Sequence, residues 1–173
     1  MSHNNRVYAS QYDTGDIEIY GHSGDTWWGL RRIQTTMTFS RLWVNDSNIF
    51  ASRWNNQTIY IYSHDGSFKG QHGEHGEGGE AGRLRLPLMC HGDDDGDVLI
   101  ADWGNRRLQV LHRDGRFSVV KRNATSGPES AVCIPGRLYI LQKEWDHSKN
   151  SISVYLPEQL NDDKHVQIQD LFR

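Results

Sequence analysis

A segment that recurs along the chain constrains its fold more than any other feature of the sequence. Residues 97–117, DVLIADWGNRRLQVLHRDGRF, contain two short apolar runs and end in an Asp-Gly turn. Residues 51–68, ASRWNNQTIYIYSHDGSF, and residues 9–27, ASQYDTGDIEIYGHSGDTW, have the same order of apolar runs and turns. Since one short unit cannot bury its apolar residues alone, we expect the copies to pack on one another.

The spacing of the copies indicates the kind of repeat. Ile17 and Ile59 are 42 positions apart with no gap, and Ile59 and Leu108 are 49 apart, with one residue dropped before Trp54. A fourth, weaker copy has apolar runs at 138–141 and 152–155. A period of roughly 40 to 50 residues is typical of β-propeller blades. The sequence therefore predicts an all-β fold with about four blades.

Each copy has the residue alternation and the turn residues of antiparallel hairpins. In TIYIYS, Ile59 and Ile61 alternate with Tyr60 and Tyr62, which is the pattern of a half-buried sheet. The Asp-Gly pairs that follow are hairpin signals, because glycine adopts a positive φ without strain. We therefore expect strands and tight turns along most of the chain.

The composition is that of an ordinary soluble protein with one compact domain. The chain has 173 residues and a formal net charge of −3, which gives no strong attraction to nucleic acid or anionic lipid. No window approaches the length of a membrane span, and the first ten residues lack the apolar core of a signal peptide. We expect a cytoplasmic protein with no membrane partner. Secretion, with glycan on Asn45, Asn56 or Asn123, is the alternative.

The third copy resembles an NHL repeat at nearly every position that marks that family. The family pattern is a proline, an apolar strand, an Asp-x-Asp-Gly turn, a strand ending in Ala-Asp, an Asn-x-Arg turn and a final Asp-Gly. The matching residues are Pro87, Asp93, Asp95, Gly96, Ala101, Asp102, Asn105, Arg107, Asp114 and Gly115. The second copy departs from the pattern at Ser52, where aspartate is usual, and at Thr58, where arginine is usual.

The resemblance implies a single β-propeller domain over residues 1–173. Its NHL repeats would lie at about 6–27, 42–70, 87–119 and 128–157. NHL propellers usually have about six blades, within the range known for propellers. Four copies therefore predict either a segment of a six-bladed wheel or a smaller or open form. A terminal blade with unpaired strand edges is expected to self-associate.

The motif residues of the third copy are expected to hold turns. Aspartate and asparagine side chains hydrogen-bond to nearby backbone amides. Asp102 and Asn105 would brace the connection between two strands, and Arg107 would pair with a carboxylate or a carbonyl group. The preceding glycine-rich stretch leads into residues 83–90, RLRLPLMC, which read as a strand. Because a phosphate site needs a following helix N-terminus, we do not expect one here.

The function that the resemblance implies is that of a non-catalytic interaction scaffold that binds a protein partner. The NHL domains of tripartite-motif proteins, which this chain resembles, recruit substrates for an attached ubiquitin ligase. The RING and B-box modules of those ligases need more zinc ligands than two cysteines can supply. Ligase activity would therefore belong to another part of a longer product.

Single-stranded RNA binding is the alternative, because some NHL domains of that family read RNA through a strongly basic face. Arg106 and Arg107 lie in an arginine-rich third copy, although aspartates share the same stretch. Trp54 and Trp103 occupy equivalent loop positions and could stack on bases. They could equally fill the space between blades. These four residues are the candidate binding residues.

A metal-dependent propeller enzyme, such as a lyase, is the second alternative. Some NHL-type propellers hold a central metal through histidines from several blades, but the histidines here recur just before hairpins, as a feature of the repeat. The His72-x-x-His75 stretch and the Asp93–Gly96 stretch lack enough ligands for zinc or calcium. We therefore predict no catalytic residue, no metal and no cofactor.

Overall fold

The computed structural model describes residues 2–11, 13–35, 37–53, 56–76, 79–93, 96–122, 126–134, 137–143 and 150–156. The first blade is a sheet of β1 (Ser2–His3), β2 (Arg6–Ser10), β3 (Ile17–Ser23) and β4 (Thr26–Ile33). The second blade is a sheet of β5 (Arg41–Val44), β6 (Ile49–Arg53), β7 (Thr58–Tyr62) and β8 (Phe68–His72). Two short parallel strands, β9 (Glu74–His75) and β10 (Arg83–Leu84), pair in the linker that follows.

The third and fourth blades follow this linker, which we define as residues 73–86 and call the inter-blade linker. The third blade is a sheet of β11 (Pro87–Gly92), β12 (Val98–Asp102), β13 (Arg107–Leu111) and β14 (Phe117–Arg122). The described strands of the fourth blade are β15 (Gly127–Ile134), β16 (Arg137–Lys143) and β17 (Asn150–Tyr155). In every blade the strands are antiparallel and neighbours in sequence. The fold is therefore all-β, as the sequence predicts.

The two middle blades are covered on both faces, unlike the half-buried sheet that the sequence alternation predicts. In β7, Ile59 is 0% exposed and Tyr60 is 3% exposed, although successive strand residues point to opposite faces. Tyr60 packs in an apolar cluster with the first blade, and Ile59 packs in another cluster with the third blade. The alternation of apolar and aromatic residues therefore marks two interfaces between blades.

Equivalent residues of successive blades face the same way. Ile17 packs against the second blade, Ile59 against the third and Leu108 against the fourth. Strand register places Ile152 at the corresponding position of the fourth blade, because Ile152 pairs with Leu141 as Leu108 pairs with Ala101. The same face of every blade is therefore directed towards the blade that follows it.

Register also corrects the match between the second and third copies. Leu108 pairs with Ala101 in the third blade, and Ile59 pairs with Ser52 in the second. Both residues of the second pair lie 49 positions before those of the first, so the two copies align with a constant step of 49 and no residue is dropped between them. The position of Asp102 in the second blade is consequently held by Arg53 and not by Ser52.

The turn that precedes the third strand of each of the first three blades has a left-handed residue at one fixed position. The residues there are Gly15 with φ 79°, Gln57 with φ 54° and Arg106 with φ 53°. Glycine adopts this conformation freely, whereas other residues are strained by roughly 1–2 kcal/mol. The backbone of this turn is therefore the same in three blades although its side chains differ.

Two strand boundaries differ from the sequence-based expectation. The run at 83–90 is interrupted, because Leu86 has a φ of 54° that a continuous strand cannot contain. In the fourth copy, β15 precedes the two expected strands and pairs with β16 from Gly127 to Ile134. The fourth copy therefore forms a three-stranded sheet within the described residues.

Candidate functional site

Trp103 is the one candidate tryptophan that the structure describes, since Trp54 lies outside the described residues. Trp103 begins a short 3-10 helix between β12 and β13 and is half-buried. Its ring carbon Cδ1 lies only 2.5 Å from where a Cβ atom on Gly127 would be. Trp103 therefore packs closely over the start of the fourth blade, and a side chain at Gly127 would displace it.

Arg107 lies in the protein interior and not on the surface where RNA would bind. It is 1% exposed, and its Nε atom donates to the equally buried Asp102 carboxylate at 2.8 Å. Its Nη2 atom donates to the backbone carbonyl oxygens of Glu80 and Arg83. Arg107 therefore holds the inter-blade linker and is not accessible to a ligand.

Asp102 is the centre of a buried hydrogen-bond network in the third blade. Its Oδ2 atom accepts hydrogen bonds from Arg107, from Asn105 Nδ2 at 2.9 Å and from Gln109 Nε2 at 2.9 Å. Its Oδ1 atom accepts the backbone N–H of Arg85 at 2.7 Å. We call Asp102, Asn105, Arg107 and Gln109 the linker clamp, because they bind the inter-blade linker to the blade.

Arg106 is exposed beside this clamp, and acidic groups accompany much of the other positive charge of the region. Arg116 pairs with Asp114 at 2.7 Å, and Arg83 lies within 3.6 Å of Glu74 and 3.5 Å of Glu80. Phosphate recognition requires a surface with an excess of positive charge. The arginine-rich third copy consequently presents less net charge than its composition suggests.

Asp93 and Asp114 hold the turns that flank the central strands of the third blade. Asp93 Oδ1 accepts the N–H groups of Gly96 and Asp97, each at 2.8 Å. Asp114 Oδ1 accepts the N–H of Arg116 at 3.0 Å, beside Gly115 with a φ of 87°. Asp95, the remaining motif aspartate, lies outside the described residues.

The hydrogen bonds of these turns change the acidity of their carboxyl groups. Asp65 occupies the position of Asp114 in the second blade, and hydrogen bonds from the Ser63 hydroxyl and then from Ser67 lower its pKa to about 2. Hydrogen bonds from the backbone and side chain of Arg116 lower the pKa of Asp114. Both carboxylates are therefore ionised at neutral pH, and the hydrogen bonds that they accept hold their turns.

The recurring histidines connect strands and blades. His64 lies between the Tyr8 hydroxyl of the first blade, 2.9 Å from its Nδ1, and the Asn45 carbonyl oxygen, 2.8 Å from its Nε2. His112 contacts Asp97 through Nδ1 at 2.8 Å and the Ser118 hydroxyl through Nε2 at 2.8 Å. Both ring nitrogens of each histidine are therefore used within the fold.

Metal ligands do not converge in the described part of the chain. No group of three or more His, Cys, Asp or Glu residues lies close enough there to hold a metal ion. A cavity of about 130 Å³ between the second and third blades is lined in part by Asn45, His72 and His112.

Burial lowers the pKa of His91, on β11, so this histidine favours its neutral form.

An exposed aromatic surface on the first blade was not identified from the sequence. Trp27, Trp28 and Leu30 lie on β4, the outermost strand, and Trp28 is 45% exposed. We call these three residues the outer-strand surface, which includes both faces of this edge strand, because the adjacent Trp27 and Trp28 lie over His22 and Gly21, respectively. The Trp27 ring stacks on His22 at a centroid distance of 4.7 Å. The signal that could have found this surface is TWWGLRRI, which has large apolar residues where β8 has FKGQH.

A second exposed apolar surface lies on the fourth blade. Its members are Val132, Ile134, Leu141, Ile152 and Val154. Val132 and Val154 both lie opposite Tyr139 in the strand register, so these side chains are neighbours on one face. No sheet among the described residues covers this face, which we call the terminal face.

Comparison with known proteins identifies the architecture. No family model matches the chain, and no curated protein matches it. A structure of streptogramin B lyase is similar to this chain, with a TM-score of 0.58 and 15% sequence identity. The match covers 90% of this chain and 52% of the lyase chain. The fold is a β-propeller. The described sheets are part of such a wheel.

Two further solved structures, of differently named proteins, show the same architecture. An auxiliary nutrient binding protein from Bacteroides thetaiotaomicron has a TM-score of 0.59 and 14% identity, covering 87% of this chain and 46% of that one. A nidogen/laminin complex has a TM-score of 0.57 and 18% identity, and the match covers 90% of this chain and 61% of the chain in that complex. The chain thus spans about half the length of the propellers it matches. At these identities the likeness shows the fold alone.

No helix in the part of the chain that the structure describes has the length and apolar character needed to cross a membrane.

Proposed function

We propose that this chain is a non-catalytic interaction scaffold that binds a protein partner. The observation that carries the proposal is the outer-strand surface, where Trp27, Trp28 and Leu30 are exposed on the last strand of the first blade. Large exposed apolar groups are unusual on a surface without a partner. Tryptophan is also enriched among the residues that dominate binding energy at protein interfaces.

The partner that this surface fits is an extended apolar segment of another protein. In the described sheet, β4 has a strand neighbour on one side only, so its other side presents backbone N–H and carbonyl groups. An extended segment can pair with such an edge, and its side chains then contact those of the edge strand. Arg31 donates to the Asp65 carbonyl oxygen, and Arg32 lies 3.0 Å from Glu18. These contacts leave the aromatic groups as the main determinants of specificity.

The resemblance of the third copy to NHL repeats supports a more specific role. In tripartite-motif proteins such a domain recruits substrates for an attached ubiquitin ligase, and recruitment of a substrate segment by β4 would be the equivalent step here. The ligase modules would lie elsewhere in a longer product. The nidogen/laminin complex is one matched propeller whose description names a protein complex.

The test compares partner capture by the parent chain and by two variants. Trp28→Ser with Leu30→Ser changes the outer-strand surface but keeps the Trp27 ring on His22. Phe68→Ser is the matched control, because Phe68 is 56% exposed on the outer strand of the second blade. A captured protein is then purified, and its dissociation constant is measured with each variant.

We expect the double variant to bind at least about 30-fold more weakly, since hot-spot residues contribute about 2 kcal/mol or more and 1.4 kcal/mol is a tenfold change. The control should bind within about twofold of the parent. Equal binding by all three chains would rule out the outer-strand surface as the binding site.

RNA binding through the third blade is the alternative function. The observation in its favour is that Arg106 and Arg113 are both exposed in the arginine-rich third copy. Fluorescence anisotropy with random single-stranded RNA at low and physiological salt tests this function. Binding at physiological salt that is weakened by Arg106→Ala would support it, and no binding at low salt would exclude it, because charge attraction is strongest there.

A lyase activity is a second alternative, favoured by the match to streptogramin B lyase. A metal-dependent activity of this kind predicts a stoichiometric metal ion in the purified protein, which elemental analysis would detect.

A further inference from the structure

The terminal face of the fourth blade has the residues of an interface between blades, but no further sheet covers it among the described residues. Ile17, Ile59 and Leu108 occupy equivalent positions in the first three blades and are 0%, 0% and 1% exposed, respectively. Ile152 occupies this position in the fourth blade and is 71% exposed. The residue type is preserved along the series, so Ile152 differs because no described sheet packs on it as a sheet packs on the other three residues.

The first blade has the complementary face, which no other described sheet covers. In the second blade, Ile49, Ala51 and Tyr62 point towards the first blade and are buried against it. Strand register places Val7, Ala9 and Tyr20 at those positions in the first blade. These three side chains are only partly buried. We call Val7, Ala9 and Tyr20 the leading face.

The charged residue beside the leading face is neutralised within its own blade. Glu18 occupies the position of Tyr60 in the second blade. Its carboxylate lies 3.0 Å from Arg32 and accepts a hydrogen bond from the Tyr20 hydroxyl. The leading face therefore presents apolar groups and a compensated ion pair, and it adds no net charge that would oppose contact with an apolar sheet.

We propose that the terminal face is covered by the leading face of a second copy of this chain. Such a contact continues the three interfaces that already join the blades, with the same strand positions on each side. Each copy contributes four blades, so two copies joined at both ends supply eight. Propellers have between about four and eight blades, and a head-to-tail contact forms a closed ring when its rotation permits.

The lengths of the matched propellers agree with this arrangement. The chain spans 52% of the streptogramin B lyase chain, 46% of the nutrient binding protein and 61% of the nidogen/laminin chain. A second copy would supply sheet of about the missing amount. A contact between two terminal faces would instead leave both leading faces uncovered, so we infer a head-to-tail arrangement.

The first experiment is the solution mass of the whole chain, measured by analytical ultracentrifugation over a range of concentrations. We expect twice the mass of one chain. A chain that stays monomeric at high concentration would overturn the proposal. Larger species that grow with concentration would overturn the closed pair, because they indicate a contact that does not close.

The second experiment uses two variants that each block one face. One variant carries Ile152→Lys and Val154→Lys on the terminal face, and the other carries Val7→Lys and Ala9→Lys on the leading face. Phe68→Lys places one lysine on an exposed apolar site of the second blade and is the control for an added positive charge. Circular dichroism establishes that every variant is folded.

The head-to-tail arrangement makes a distinctive prediction for these variants. Each blocked variant alone should be monomeric, since every contact would include one blocked face. A mixture of the two should recover a species of two chains, because one intact terminal face can meet one intact leading face. The control should keep the parent mass.

Two results would contradict the arrangement. If the variant with the blocked leading face remains paired, the copies meet through their terminal faces. If the mixture stays monomeric while the parent pairs and both variants are folded, the two faces do not bind each other.

Discussion

Replacing Asp102 by asparagine tests how much the linker clamp stabilises the third blade. The carboxylate of Asp102 is 0% exposed and accepts hydrogen bonds from Arg107, Asn105, Gln109 and the backbone of Arg85, at distances between 2.7 and 2.9 Å. Asparagine has nearly the same shape but carries no charge. One of its two polar atoms is an amide nitrogen, which donates hydrogen bonds and does not accept them, so asparagine cannot accept from all four groups.

The magnitude follows from the burial of both partners. The Asp102→Asn substitution leaves the Arg107 guanidinium in the interior without its counter-ion. Removing one partner of a buried ion pair costs about 3–5 kcal/mol. Since a domain is stable by only about 5–15 kcal/mol, this change should remove a large part of the free energy of unfolding.

Urea unfolding followed by tryptophan fluorescence measures this free energy. Asp114→Asn is the matched control, because its carboxylate also pairs with an arginine, Arg116, but on an exposed hairpin, where we expect little change. The pair Asp102→Leu with Arg107→Met removes both charges and should recover only the part of the loss that comes from the unpaired guanidinium, because Asn105, Gln109 and the Arg85 N–H still lose the Asp102 acceptor. A loss below about 1 kcal/mol for Asp102→Asn would refute the assignment of a stabilising role to the clamp.

Three further predictions concern the turns and one buried histidine. Arg106→Gly should raise the free energy of unfolding by up to about 1 kcal/mol, because glycine adopts the left-handed conformation of Arg106 without strain. Gly15→Ala should lower the free energy of unfolding, because a Cβ atom at Gly15 would lie 2.3 Å from the Met37 carbonyl oxygen. Ser63→Ala should raise the pKa of Asp65 from about 2 towards 3.8, which NMR titration measures. In the parent chain, Asp65 stabilises the fold above pH 3.8, and this contribution disappears as the pH falls towards 2. Burial lowers the pKa of His91 below 6.5, so the unfolded chain protonates first. Stability should therefore fall as the pH drops through 6.5, and His91→Gln should weaken this dependence.

The fold could be predicted from the sequence because the repeat fixes the order of strands and turns. Residue alternation in TIYIYS identified the strand, but it could not show that both of its faces are buried. The alternation of residue types along a strand shows only that the two faces of the strand carry different side chains. Whether the second face meets solvent or another sheet depends on the neighbouring blade, which is distant in the sequence.

The candidate site was harder to predict because chemistry depends on burial. Arg106 and Arg107 are adjacent in sequence, yet one is exposed and the other is buried beside Asp102. Arg106 lies in the left-handed turn before β13, whereas Arg107 begins that strand, and only the fold shows that both faces of the strand are buried. Matching by residue type likewise aligned Ser52 with Asp102, whereas pairing between strands places Arg53 there.

Equivalent substitutions at Leu108 and Ile152 separate folding from assembly. Leu108 is buried against the fourth blade, so Leu108→Ala should lower the free energy of unfolding by about 2–5 kcal/mol. In a dilute single chain, Ile152 is exposed, and Ile152→Ala should change that free energy by less than about 0.5 kcal/mol. The same substitution should weaken the association of two copies, which sedimentation at increasing concentration measures. If Ile152→Ala destabilises the dilute chain as much as Leu108→Ala does, the terminal face is packed within one chain, and the second copy is not its occupant.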